Sequence, residues 1–214
     1  MNQISSDELG AKAYQRVRSM ILSGRLPAGK KIVQDRLAEK LGISRTPLRS
    51  ALQRLEGESL VQSIPRRGMI VREFSQEQVI DFYDCRIALE SMAVRLFTSR
   101  VSVAELKVLA ELFVPFQTGD IDENAYRRAD SKFHDFIAQN CGNDMLRRLF
   151  VSGHLLVCID LIGLVRPPAE TLPEHLAIIE AITQGDADQA ESLIRSHLLI
   201  SQNLVRQRLH EPRP

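Results

Sequence analysis

The sequence predicts a mostly α-helical protein in two parts. Residues 1–74 form a small domain with a tight pair of helices and one β-hairpin, and residues 75–214 form an antiparallel all-helical bundle of about six helices. Three observations predict this. Apolar residues recur at helical spacing through most of the chain, and the two defensible β-prone runs both lie before residue 75. The charge also changes sign near the same place. Residues 1–74 hold 14 Lys+Arg against 7 Asp+Glu, a net of +7, whereas residues 75–214 hold 14 against 20, a net of −6. The basic part favours a polyanionic partner, although charge alone reads equally well as ordinary scatter.

The 214 residues are 44% hydrophobic and 26% charged, enough apolar content for each part to bury its own core. Met1 to Gly10 is polar and acidic, unlike a signal peptide, and the apolar run Leu155 to Val165 is interrupted by Asp160 and falls well short of the roughly 20 residues a membrane helix needs. A cytoplasmic protein with no membrane partner is expected. Cys85, Cys141 and Cys158 form no C-x-x-C pair, which argues against disulfides and a thiolate metal site, and they read as buried small hydrophobes.

The first helix spans about Asp7 to Ser23, with Ala11, Tyr14, Val17, Ile21 and Leu22 at helical spacing and Gly24 and Pro27 beyond its end. A second short helix, Gln34 to Leu41, presents Leu37, Ala38 and Leu41 and stops at Gly42. Ser44 then suits an N-cap, Pro47 fits the first turn, and Leu48, Ala51, Leu52 and Leu55 continue one apolar stripe. Leu60 to Ile64 and Met69 to Val71 are β-prone runs separated by Pro65-Arg66-Arg67-Gly68, a turn with two cations at its tip. Two helices across a tight turn, followed by a basic hairpin, describe a winged helix-turn-helix.

Beyond residue 75 only helical periodicity remains. Ser75 with Gln78, Ser102 with Glu105 and Thr171 with Glu174 have capping-box spacing. Helices are predicted at roughly 75–100, 103–117, 122–140, 144–165, 171–184 and 187–210, joined by short loops that favour antiparallel neighbours.

The third helix carries the candidate nucleic-acid chemistry. Arg45 and Arg49 lie one turn apart, opposite the apolar stripe, where planar guanidinium forks can bond the O6 and N7 of guanine. Ser44, Thr46 and the helix N-terminus can hold phosphate, and Arg66, Arg67 and Gly68 at the wing tip can reach the DNA backbone or minor groove. A solvated basic helix face is the bland alternative. The run Leu37-Ala38-Glu39, Gly42 through Arg49, Ala51-Leu52, Leu55-Glu56, Leu60-Val61 and Arg67-Gly68 resembles the signature of GntR-family regulators, over about the first third of the chain. The resemblance implies a regulator that binds a double-stranded operator, usually as a homodimer. Ser50 stands where an acid is common and Ser59 where a glycine usually precedes Leu-Val. Asp35 occupies a position that carries a DNA-contacting arginine in some relatives.

Asp130 and His134 are four apart on one helix, and His175 and His197 lie on the last two helices. One carboxylate and three imidazoles suit zinc first, with nickel, manganese or iron also accommodated, but by spacing alone an Asp–His pair is more often a surface or capping pair than a metal site. Asp130-x3-His134, His175 followed by Ala177 to Ile182, Gly185-Asp186, Ala190 and His197 are similar to the FCD effector domain of one GntR subfamily. That resemblance implies a divalent metal on the four residues and a small organic-acid effector, with Arg86 as a clamp for the effector's far end. Arg86 reads otherwise as an i,i+4 surface pair with Glu90. Ser152, His154 and Asp160 are further candidates for lining the pocket. The function expected is a ligand-responsive repressor. A metal-dependent hydrolase using the same four residues, or a metal-free regulator with an apolar ligand, are the alternatives.

Overall fold

The structure is a computed structural model that describes residues 6–152, 155 and 161–210. It divides into two compact units, residues 1–73 and 74–214.

In the first unit, α1 (Ser6–Leu22) buries Ala13, Tyr14, Val17, Met20 and Ile21. They meet the apolar stripe of α3 (Arg45–Gly57), where Leu48, Ala51, Leu52 and Leu55 are 2% exposed or less. The Tyr14 hydroxyl donates to the Glu58 carboxylate at 2.8 Å, and the Arg54 guanidinium lies 3.9 Å above the Tyr14 ring, so the end of α3 is tied to α1 by polar as well as apolar contacts. Between them, α2 (Gln34–Leu41) ends at Gly42, whose φ of 68° closes the tight turn into α3. Ser44 is the N-cap residue of α3, but its side chain makes no capping bond. Strands β1 (Val61–Ile64) and β2 (Gly68–Val71) pair antiparallel from Val61↔Val71 to Ile64↔Gly68, and Lys31 bridges to Ile70 outside them. At the tip the Arg67 amide donates to the Ile64 carbonyl at 3.1 Å, with Arg66 at φ 63° and Gly68 at φ 80°. This is a winged helix-turn-helix.

The second unit is helical throughout its described residues. It contains α4 (Gln76–Thr98), α5 (Val103–Phe113), α6 (Glu123–Asn140), α7 (Asp144–Ser152), α8 (Pro168–Thr183) and α9 (Ala187–His210). Reciprocal capping boxes open α4 at Ser75 and α5 at Ser102, and Asp122 caps α6. Phe97, Phe113, Tyr126, Phe133 and Phe150 are fully buried and hold the helices around one core. Helix α9 lies along α4, and Gln202 donates from it to the Asp84 carboxylate at 2.7 Å and the Ile80 carbonyl at 3.1 Å.

The structure departs from several expectations. α5 stops at Phe113 and a single 3-10 turn, Val114–Phe116, follows, because Pro115 has no N–H to continue the α ladder. Thr171 and Glu174 do not open α8. The helix begins at Pro168, with a proline at its first position where the missing N–H costs nothing, and Thr171 bonds inward instead. Helix α7 is described to Ser152, so the rest of the segment 144–165 lies partly outside the described residues, with Cys158 among those left out. Cys141 is buried, but Cys85 is exposed on the outer side of α4. No helix among the described residues is long and apolar enough to cross a membrane.

Candidate nucleic-acid interface and candidate metal centre

In the first unit, α3 buries Pro47, Leu48, Ala51, Leu52 and Leu55 and leaves Ser44, Arg45, Thr46 and Arg49 exposed on the opposite side. The predicted pair of arginines therefore does share an open face. Arg66, Arg67 and Gly68 are exposed at the wing tip. Arg45 is not isolated, since it forms an ion pair with Asp35 in the first turn of α2.

In the second unit, Asp130, His134, His175 and His197 converge although they come from three helices. Their ligand atoms all lie within 4.8 Å of one another. Asp130 Oδ1 is 3.3 Å from His175 Nε2 and 4.0 Å from His134 Nε2. Two ligands of one ion, each at about 2.0–2.2 Å, stand at most about 4.4 Å apart, so the cluster is close to the size a single ion requires. The three imidazoles are 5% exposed or less, with Phe113 stacked on His175 at 4.7 Å between centroids, while the Asp130 side chain keeps 14% of its surface open.

The second nitrogen of each imidazole fixes its tautomer. His134 Nδ1 meets Glu90 Oε2 at 2.5 Å, and His197 Nδ1 meets Glu174 Oε2 at 2.7 Å. Burial pushes the Glu90 carboxyl up, but Arg86 and His134 more than offset this and bring it down to about 2. Burial likewise opposes ionisation of Glu174, and the hydrogen bonds from His197 and Arg166 bring it down to about 2. Both are therefore carboxylates, which only accept, so Nδ1 carries the proton in both histidines. His175 Nδ1 lies 2.9 Å from the Tyr126 hydroxyl, which lies 2.9 Å from Thr171 Oγ1, which donates to the Pro167 carbonyl at 3.5 Å. The order that satisfies every contact runs from His175 N–H to Tyr126 to Thr171 to Pro167, because the carbonyl can only accept. Burial, reinforced by the neighbouring histidines, also pushes the His175 pKa well down, which favours the neutral ring.

With Nδ1 turned to its partner in each ring, Nε2 is the atom left for a ligand, and Nε2 of His134 and of His175 is buried with no hydrogen-bond partner. Facing a carboxylate without a proton or cation between them, they would be repulsive and unsatisfied. The donor set fits a divalent cation, and the Nδ1 partners supply the outer support that metal-binding histidines normally have.

Sequence reasoning missed three of these supports. The sequence pairs Glu90 only with Arg86 and offers Glu174 as a helix-capping residue, and Tyr126 gives no signal beyond standing one turn before Asp130 on the same face of α6. Arg166 was missed as well. It is 7% exposed and bonds Glu174 through both Nη atoms, at 2.7 and 2.8 Å. Arg86 does pair with Glu90, Nε to Oε1 at 2.6 Å, but the pair is buried rather than on the helix surface. Its Nη2 atom is buried without a partner. Tyr83 lies beside it, its ring centroid 5.3 Å from the guanidinium carbon, and burial raises its pKa. His154, Asp160 and the side chain of Ser152 lie outside the described residues.

Comparison with known proteins agrees with both units. Residues 9–71 match the family model for bacterial regulatory proteins, gntR family, and residues 81–199 match the model for the FCD domain. An uncharacterized HTH-type transcriptional regulator from an unstable DNA locus of Streptomyces ambofaciens is 29% identical over 204 residues, covering 93% of this chain and 86% of its own. The HTH-type transcriptional repressor GlaR of Escherichia coli is 25% identical over 207 residues, covering 91% and 94%. Among solved structures, Escherichia coli McbR/YncC superposes with a TM-score of 0.71 at 22% identity, over 94% of this chain and 99% of that one, which supports the fold.

Proposed function

This chain belongs to the GntR family of bacterial regulatory proteins and carries its FCD domain, and from that premise we propose that it is a repressor released by a small organic acid bound at a metal in the helical unit. The family makes it a DNA-binding transcriptional regulator rather than an enzyme. In this reading a homodimer places two copies of α3 in successive major grooves of an operator. Arg45 and Arg49 read base edges, while Ser44, Thr46, Arg66, Arg67 and the Gly68 turn hold the backbone.

Asp130, His134, His175 and His197 would hold the metal, zinc first, or nickel, manganese or iron. When bound, such an ion supplies positive charge and open positions for a carboxylate. The chain's own residues do the rest. Glu90, Tyr126 and Glu174 hold the three Nδ1 protons and aim the lone pairs. Arg86 stays charged because Glu90 offsets its burial, and its free Nη2 donor can take a second acceptor on the effector. The effector acts by binding more tightly to the state of the protein that releases DNA.

The observation that carries this reading is the pair of buried, partnerless Nε2 atoms beside Asp130. Elemental analysis of the purified chain, together with thermal melting against small carboxylates with and without chelator, tests it. A bound divalent ion, lost in His134→Ala while DNA binding persists, is the expected result. A melting point indifferent to chelator and to every acid would refute the metal centre and leave the DNA-binding unit standing.

A further inference from the structure

Asp35 and Arg45 pair across the turn that joins α2 to α3, yet both side chains remain largely open to solvent, at 61% and 73% exposure. An acid in the first turn of α2 has a local explanation, since it complements the helix N-terminus. That does not explain why the carboxylate rests on the arginine at the first position of α3, one turn before Arg49, an exposed cation on the same helix. An exposed ion pair adds little to folding. Its effect must be sought where the pair is desolvated, against DNA.

We propose that Asp35 is a specificity-determining residue that acts through Arg45. The inference rests on the reading that α3 meets base edges. A guanidinium offers five N–H donors in a rigid plane, and a carboxylate bonded to one side leaves the others in a fixed fork. Asp35 thereby turns Arg45 from a mobile cation into an oriented pair of donors suited to the O6 and N7 of guanine. It also penalises the wrong complex. On a non-cognate duplex Arg45 gains most by swinging to a phosphate, and doing so strands the Asp35 carboxylate next to a polyanion. Specificity is a difference between two affinities, and a group that weakens backbone-only binding more than base-bonded binding enlarges it. Asp35 gives up some total attraction in the +7 domain and gains discrimination in return.

The test uses full-length wild type, Asp35→Asn, Asp35→Glu, Arg45→Ala and the Asp35→Asn/Arg45→Ala double variant. Each is used to select from a random-sequence duplex pool and is then titrated against the selected duplex and a fixed unrelated one at two salt concentrations. For Asp35→Asn we expect the preference at the base pair read by Arg45 to fall about fivefold or more. Affinity for the unrelated duplex should rise severalfold, with a steeper salt dependence. Asp35→Glu should recover most of the selectivity, and the double variant should select like Arg45→Ala alone. DNA-free melting of Asp35→Asn should match wild type, which separates the effect from folding. The proposal is overturned if Asp35→Asn keeps the wild-type preference while Arg45→Ala changes it, or if all duplexes weaken equally. It is also overturned if Asp35→Asn still shifts the preference when Arg45 is absent, since Asp35 would then read a base itself. Should Arg45→Ala leave the preference untouched, base reading by Arg45 fails first and takes this inference with it.

Discussion

Glu90→Gln is nearly isosteric, yet it should damage the helical unit out of proportion to its size. Glu90 is 3% exposed and accepts from two donors at once, Arg86 Nε on one oxygen and His134 Nδ1 on the other. A glutamine has one accepting and one donating end, so with its oxygen on Arg86 its NH2 faces His134 Nδ1, which can accept only by moving its proton to Nε2, the atom a metal needs. The Arg86 cation, 6% exposed, also loses its counter-charge. Removing one partner of a buried pair costs about 3–5 kcal/mol. The depression of the Glu90 pKa from 4.5 to about 2 points to a similar size, roughly 3 kcal/mol. For a unit of this size the melting point should fall by roughly 6–20 °C. Because His134 loses the acceptor that fixes its tautomer, affinity for a divalent ion should fall about 10–100-fold. Thermal melting of the metal-free protein and competition against a chelator measure the two effects separately. A variant that melts within a degree of wild type and competes equally well for metal would refute the account of Glu90 as the acceptor for both groups.

Two further substitutions probe the same physics elsewhere. Tyr126→Phe breaks the donor chain from His175 to Thr171 while keeping the ring in the core. It should cost the metal-free protein only about 1 kcal/mol but lower metal affinity about tenfold or more, read by melting and by chelator competition. Ser59→Gly should stabilise the first unit. Ser59 sits at φ 60°, with the Leu60 amide bonded back to the Leu55 carbonyl at 3.0 Å, a helix ending that suits glycine. Relief of the left-handed strain, about 1–2 kcal/mol, exceeds the added chain entropy of about 0.4–1 kcal/mol, so denaturant melts should show a net gain near 0.5–1 kcal/mol.

Ser59 also shows what a sequence can and cannot reveal. A missing glycine before Leu60-Val61 is legible as a departure from a pattern, but the backbone angle makes it a strain. Helix boundaries were legible where a local capping box sets them, at Ser75 and Ser102, and misread at Pro167-Pro168, where two prolines look like a break and instead start the helix. The four candidate ligands were legible because their pattern resembles a known domain, whereas their spacing alone also describes a surface or capping pair. Their supports were not, because each one reaches a histidine on a different helix. Glu90 on α4 holds His134 on α6, Tyr126 on α6 holds His175 on α8, and Glu174 on α8 holds His197 on α9. No periodicity within a single helix encodes these pairs. The four helices are cross-linked in chain order through the imidazoles, so a change at the centre is felt by every helix around it.

The charges of this core also constrain what can bind there. Arg86 is matched by Glu90, and Arg166 by Glu174, with Glu170 adding a further bond to Arg166. When the three imidazoles act as neutral ligands through Nε2, Asp130 is the one formal charge among the four candidate ligands. A divalent cation there turns a local charge of −1 into +1, in surroundings where an uncompensated charge is expensive. A carboxylate restores neutrality, whereas the matching primary amide offers a similar shape and an acceptor oxygen but no charge. Matched acid and amide pairs, tested by thermal melting of the metal-loaded protein, should therefore separate clearly. An acid at 100 times its dissociation constant stabilises the protein by about 2.7 kcal/mol, and the amide at equal concentration should give little shift. With the metal removed, the acid should lose its effect, because the local charge has reverted to negative. Equal shifts from acid and amide would mean that charge does not select the ligand, and an acid response that survives chelation would mean that the metal does not hold it.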